Sequence, residues 1–159
     1  MIVFLINGSI GVGKSTIGSI LSQKISNSCW IEADAFMYNN PFNPSIEDYI
    51  FVAKEIKRIA YYHKNKGANY VFVSWCVFDK EIKQLIDALF VDDVLFYILL
   101  VVPNQITKKR IQKDISENAR PSDNLRKIGK GVYDSDHRRF ENIDAEQTVS
   151  KIIEAYNLL

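Results

Sequence analysis

The string Gly8-Ser9-Ile10-Gly11-Val12-Gly13-Lys14-Ser15 constrains this chain more than any other feature of it. It satisfies the pattern G-x-x-x-x-G-K-[ST] and follows an apolar run, Ile2-Val3-Phe4-Leu5-Ile6, with the length and composition of a buried strand. Glycines at both ends allow the backbone to coil into a nest of inward-pointing N–H groups. A helix opening near Lys14 brings the positive end of its dipole to the same place. The fit is to phosphate. Gly8, Ser9, Gly11, Val12 and Gly13 form the cradle, Lys14 reaches the β- and γ-phosphates as a mobile point charge, and Ser15 offers a hydroxyl to Mg²⁺. Thr16 leads into a helix with apolar residues at Ile17, Ile20, Leu21 and Ile25. A glycine-rich strand-to-helix turn could match by accident, but the order of strand, loop and amphipathic helix argues against accident.

At 159 residues the chain suits one compact α/β domain spanning 1–159, and is too short for two of ordinary size. A hydrophobic content of 47% and a charged content of 25% describe an ordinary globular composition. The longest apolar run, Val94 to Val102, is too short to cross a bilayer and reads as a central strand. Met1 to Ile6 lacks a basic leader and a cleavage site, so a cytoplasmic protein without a membrane partner is expected. Cys29 and Cys76 show no C-x-x-C spacing and lie among apolar residues, which predicts buried, reduced thiols.

Net charge is only +1, yet residues 108 to 139 carry ten Lys and Arg against five acids. This basic segment reads as a solvated helix face, as a nucleic-acid patch, or as a flap that closes over a triphosphate. Because nucleic-acid binders usually carry basic excess over the whole domain, the flap is favoured, with a lid at about residues 112–126.

Along the chain, strands at 2–6, 29–33, 70–74, 94–102 and about 139–143 alternate with helices at 14–26, 45–66, 79–90, 104–118, 123–136 and 145–156. Asn and Pro residues between Tyr38 and Pro44 interrupt regular structure, as does Gly67-Ala68-Asn69. The alternation predicts a three-layer α/β fold, with a mostly parallel five-stranded sheet covered by helices on both faces and ligands at the carboxyl ends of the strands.

The second strand runs into Glu32-Ala33-Asp34, and strand alternation sets both carboxylates on one side, beside the phosphate loop. Glu32 is a candidate to help hold Mg²⁺ through water. Asp34 is the candidate base that accepts a proton from an attacking hydroxyl and contacts the acceptor, or alternatively the N-cap of a following helical turn. Arg110 and Arg120 are candidates to steady the charge that spreads over a transferring phosphoryl group, against the alternative of surface pairing with Asp114 or Glu117.

Phosphate loop, Glu-x-Asp at the second strand end, and an Arg-bearing helix and loop late in a short chain resemble the small P-loop kinases of metabolites. Shikimate kinase and gluconate kinase are nearest in layout, with nucleoside monophosphate kinases and chloramphenicol phosphotransferase as relatives. The resemblance implies a P-loop NTPase fold with a short lid, ATP and Mg²⁺ as cofactors, and a small-molecule acceptor as partner. Shikimate kinase has D-x-D where Glu32-Ala33-Asp34 stands, so Asp34 inherits the face toward the substrate hydroxyl. That family's lid Arg-Pro resembles Arg120-Pro121, and its adenine-contacting loop resembles Ile143-Asp144-Ala145, which assigns Ala145, with Arg110, to the nucleotide side.

Two departures point away from shikimate itself. Where that family has glycines after its third strand, this chain has Ser74-Trp75-Cys76-Val77-Phe78, and Val52 stands where the family's substrate-gripping Arg would align. Trp75, Phe78, Phe36, Tyr38 and Phe42 are accordingly expected either to line a pocket for a nucleoside, nucleotide or other planar hydroxyl compound, or to be core. The leading functional reading is an ATP-dependent kinase, monomeric or homodimeric. The alternative is a nucleotide-binding switch that hydrolyses slowly. No N-K-x-D motif supports a GTPase, and the strand ending at Ser74 lacks the terminal carboxylate common in ATPases.

Overall fold

A computed structural model describes residues 1–37, 43–77, 79–117 and 137–159. Within them β1 (Ile2–Asn7), β2 (Ser28–Glu32), β3 (Tyr70–Ser74), β4 (Val94–Val101) and β5 (Arg138–Glu141) form one sheet in the order β2-β3-β1-β4-β5. All four pairings are parallel, and the register sets Ile6 opposite both Ser74 and Ile98. Parallel neighbours require crossovers, here supplied by α1 (Lys14–Lys24), α2 (Ile46–Lys64), α3 (Lys80–Leu89), α4 (Asn104–Ser116) and α5 (Ala145–Tyr156). The expected fold class is therefore the observed one.

Period-two alternation splits the core into two apolar layers. Val3, Leu5, Ile31, Val71 and Val73 face α2 and α3, meeting Val52, Ala53, Ile56, Ile82 and Ile86. Phe4, Ile6, Phe72, Ile98, Leu100 and Phe140 face the other way, toward Ile17 and Leu21 of α1 and Val149 and Ile152 of α5. Phe4 stacks between Phe72 and Phe96 with ring centroids 5.4 and 5.2 Å away, which stiffens the strand that delivers the glycine loop.

Helix starts are set by side chains of high capping propensity. Ser45 and Asp48 form a reciprocal capping box on α2, Asp79 caps α3 and Asp144 caps α5. α1 and α4 differ: Gly13 and Pro103 occupy their N-caps with no side-chain cap, and no acid follows in either first turn. No helix among the described residues is long and apolar enough to cross a membrane. Cys29 and Cys76 are free, as expected, but half-buried rather than enclosed. Desolvation pushes each thiol up to about 11. The expected helix 123–136, Arg120, and most of the expected lid lie outside the described residues.

Candidate active site

Asn7, the last residue of β1, is fully buried and anchors the glycine loop. Its Oδ1 accepts from the Gly8 amide at 2.8 Å and from the Val77 amide at 3.0 Å, and its Nδ2 donates to the Val77 carbonyl at 3.3 Å. One amide side chain thus ties the loop after β1 to the segment after β3. Gly8 has φ +148°, and a Cβ there would lie 2.7 Å from the Leu100 carbonyl oxygen. Gly13 has φ +94°, and its Cβ would lie 2.6 Å from Asn142 Nδ2. Both positions demand glycine for backbone conformation and for space.

The loop therefore ends on an uncapped helix start, with first-turn N–H groups left for an anion. Lys14 bridges the loop, its Nζ donating to the carbonyls of Gly8 at 3.1 Å and Ser9 at 3.2 Å. Its own carbonyl accepts from Ser74 Oγ at 3.0 Å, and Ser74 Oγ accepts from Trp30 Nε1 at 2.9 Å. Ser74, which ends β3 where a carboxylate is common, is thus a buried strut between strand and helix. Ser15 and Thr16 are exposed at the start of α1 and Val12 is buried within the loop.

Glu32, at the end of β2, and Ser15, in the first turn of α1, lie near enough for the Ser15 hydroxyl to bear on the Glu32 carboxyl. Desolvation raises the Glu32 pKa; the Ser15 hydroxyl opposes this, the Asp34 charge adds to it, and Lys14 opposes it. Asp34 is exposed and reaches the site by a different route from the one expected. β2 stops at Glu32 and the chain turns into a 3₁₀ helix, Ala33–Phe36, so strand alternation does not apply beyond Glu32. Asp34 is also not the N-cap, since Glu32 holds that position and Asp34 lies within the turn. Its charge helps to raise the pKa values of Glu32, Cys76 and Tyr49.

Of the aromatic residues expected either to line a pocket or to be core, Trp75 is core. Only 1% of it is exposed, because Val71, Val73, Trp75 and Val77 continue one alternating face into the core. Phe36 is half-buried against the same layer. Phe78, Tyr38 and Phe42 lie outside the described residues.

On the opposite side, Arg110 of α4 donates from Nη2 to the carbonyls of Asn142 at 3.0 Å and Ile143 at 2.9 Å. Glu117 lies 3.9 Å from the Lys113 ammonium. A Cβ on Gly13 would stand 4.0 Å from Arg110 Nη1, so the guanidinium lies along the glycine loop. Ala145 begins α5 directly after this stretch, half-buried behind the exposed Ile143.

Four residues escaped the sequence reading: Asn7, Tyr49, Cys76 and Asn142. Cys76 Sγ donates to the Gly8 carbonyl at 3.2 Å. The Tyr49 ring sits 6.3 Å from that of Trp75. Asn142 is 2% exposed and donates from Nδ2 to the Val12 carbonyl at 2.7 Å. For Asn7 and Asn142 the available signal was an amide side chain at the end of a strand or directly after it.

No family model matches the chain, and no curated protein matches it in sequence. Solved structures match its fold over nearly the whole length. A sugar kinase from Janibacter sp. gives a TM-score of 0.72 at 14% identity, covering 98% of this chain and 94% of its own. A gluconokinase from Sinorhizobium meliloti gives 0.72 at 14% identity, covering 98% and 92%. A shikimate kinase from Aquifex aeolicus gives 0.59 at 17% identity, covering 99% and 96%. This chain has the P-loop small-molecule kinase fold.

Proposed function

We propose that the protein is an ATP-dependent kinase that moves the γ-phosphoryl group to a hydroxyl of a small molecule. The observation that carries this reading is the uncapped start of α1 behind a glycine loop bridged by Lys14, with Glu32, Ser15 and Asp34 gathered beside it. Loop amides bind the phosphates and Lys14 follows the charge that develops on the transferred group. Arg110 and the stretch from Ile143 to Ala145 form the base side of the nucleotide site, and Arg120 is assigned to the closing flap.

The donor set of one hydroxyl and one carboxylate fits Mg²⁺, which keeps several waters and shares phosphate oxygens. Among the described residues no group of three or more His, Cys, Asp or Glu side chains gathers into a metal cage. Ser15, with Glu32 through water, would hold the ion; when bound it neutralises phosphate charge. Asp34 accepts the proton of the acceptor hydroxyl as its oxygen forms a bond to the γ-phosphorus and the bond from that phosphorus to the bridging oxygen breaks, releasing ADP.

The test is ADP release by the purified chain with Mg-ATP, against a panel of hydroxyl compounds. At least one member should raise the rate well above the basal value. A flat panel, with Mg-ATP still bound in calorimetry, would favour the slow switch instead.

Glu32 supplies a second, pH-based expectation. Its raised pKa means that the folded state binds the proton more readily than the unfolded one. Its contribution to stability is therefore full below the unfolded pKa and is lost as pH rises through the folded pKa. Glu32→Gln should raise the Tm of the nucleotide-free chain at neutral pH, with the gain vanishing below the ordinary glutamate range. The same variant should weaken Mg-ATP binding. A Tm difference independent of pH would contradict this.

A further inference from the structure

Gly18 lies buried in the interior of α1, and its backbone is not in the left-handed region that calls for glycine. Glycine weakens a helix interior, so its presence here has another reason. The reason is space. A Cβ at this position would lie 2.6 Å from both Cδ1 and Nε1 of Trp30 and 2.8 Å from Ser74 Oγ. The bare backbone lets the Trp30 ring lie against the helix and lets Ser74 reach its first turn. Trp30 itself stands on the edge strand β2, opposite Phe72 of β3, and is 36% exposed.

The chemistry of the three groups fixes the direction of both bonds between them. An indole N–H only donates, a carbonyl only accepts, and a hydroxyl does both. Trp30 Nε1 therefore donates to Ser74 Oγ at 2.9 Å, and Ser74 Oγ donates in turn to the Lys14 carbonyl at 3.0 Å. A donor on the hydroxyl oxygen polarises its O–H, so the second bond is stronger for the presence of the first. Ser74 is fully buried, where the low local dielectric strengthens both. The line ends on the residue whose Nζ bridges the Gly8 and Ser9 carbonyls and whose neighbour is Ser15. Asn7 and Asn142 hold the glycine loop at Gly8 and at Val12, and the Trp30 line holds the helix that follows it.

We infer that Trp30 is a positioning residue for phosphoryl transfer, acting through Ser74 on the first turn of α1 to align Lys14 and Ser15 with the transferring group. The inference rests on the kinase reading and deepens it. Loop amides bind phosphate whether or not the line is intact, so ATP is still held when it is cut. Alignment is what suffers, and a small displacement beside the transferring group weighs on kcat rather than on binding.

The experiment compares the full chain with Trp30→Phe, Ser74→Ala and the double variant. ADP release is read under Mg-ATP with the best acceptor of the hydroxyl panel, alongside Mg-ATP calorimetry and a melting curve. Trp30→Phe keeps an aromatic ring against Gly18 and removes the N–H. It should lower kcat about fivefold or more while KM for ATP stays within about threefold. Ser74→Ala should lower kcat by at least as much, and the double variant should match Ser74→Ala to within about twofold, since Trp30 acts through the hydroxyl. Losses that multiply would overturn the inference, as would a change confined to KM or an unchanged kcat in Trp30→Phe. Should Trp30→Phe fail to melt cooperatively, Gly18→Ala presses on the same indole from the helix side and should give the same loss of kcat. An unchanged kcat there overturns the inference equally. A flat panel with Mg-ATP bound would overturn the kinase reading alone, and the same ratios are then read on ADP released to water. No ADP from either route would overturn both.

Discussion

Lys14→Ala should lower kcat/KM for phosphoryl transfer by at least about a thousandfold, or roughly 4 kcal/mol of transition-state stabilisation. The ammonium bridges Gly8 and Ser9 carbonyls at 3.1 and 3.2 Å, so it already stands at the mouth of the loop. Both contacts are partly solvent-facing and easily replaced by water, which limits the structural cost of their loss to about 1 kcal/mol or less. The variant should therefore keep its cooperative melt to within a few degrees while turnover collapses. Steady-state ADP release and a melting curve on the same sample check both halves. Retention of more than a tenth of the activity would remove Lys14 from the chemistry.

Asp34→Asn should leave Mg-ATP affinity within about threefold and reduce kcat by about a hundredfold or more, the usual scale for loss of a general base. The substitution keeps size and hydrogen-bonding capacity while removing the proton acceptor. Asp34 is exposed in a short 3₁₀ turn and caps no helix, so stability should hardly change. Calorimetry with a non-hydrolysable ATP analogue separates binding from chemistry, and full activity in the variant would reassign the base.

Much of the fold was legible because its signals are periodic. The apolar runs of β1, β3 and β4 and a phosphate-binding pattern between the first strand and a helix follow from local chemistry. The site was less legible where geometry departs from period. Strand alternation carried on to Asp34 fails, since β2 stops at Glu32 and a 3₁₀ turn sets the position of Asp34 instead. Trp75 was open to a pocket reading because aromatic character alone does not separate wall from core. The alternation from Val71 through Val77 does separate them. Asn7 and Asn142 carry no periodic signal, because each works by pairing with backbone far away in sequence.

The bond from Asn142 Nδ2 to the Val12 carbonyl joins positions 130 residues apart. A contact of that span forms only after long loops have closed, which makes it a late event in folding. The glycine turn after β1 therefore waits for residue 142 before its last tie is made. A chain lacking Asn142 would lack this tie even with every glycine of the loop in place.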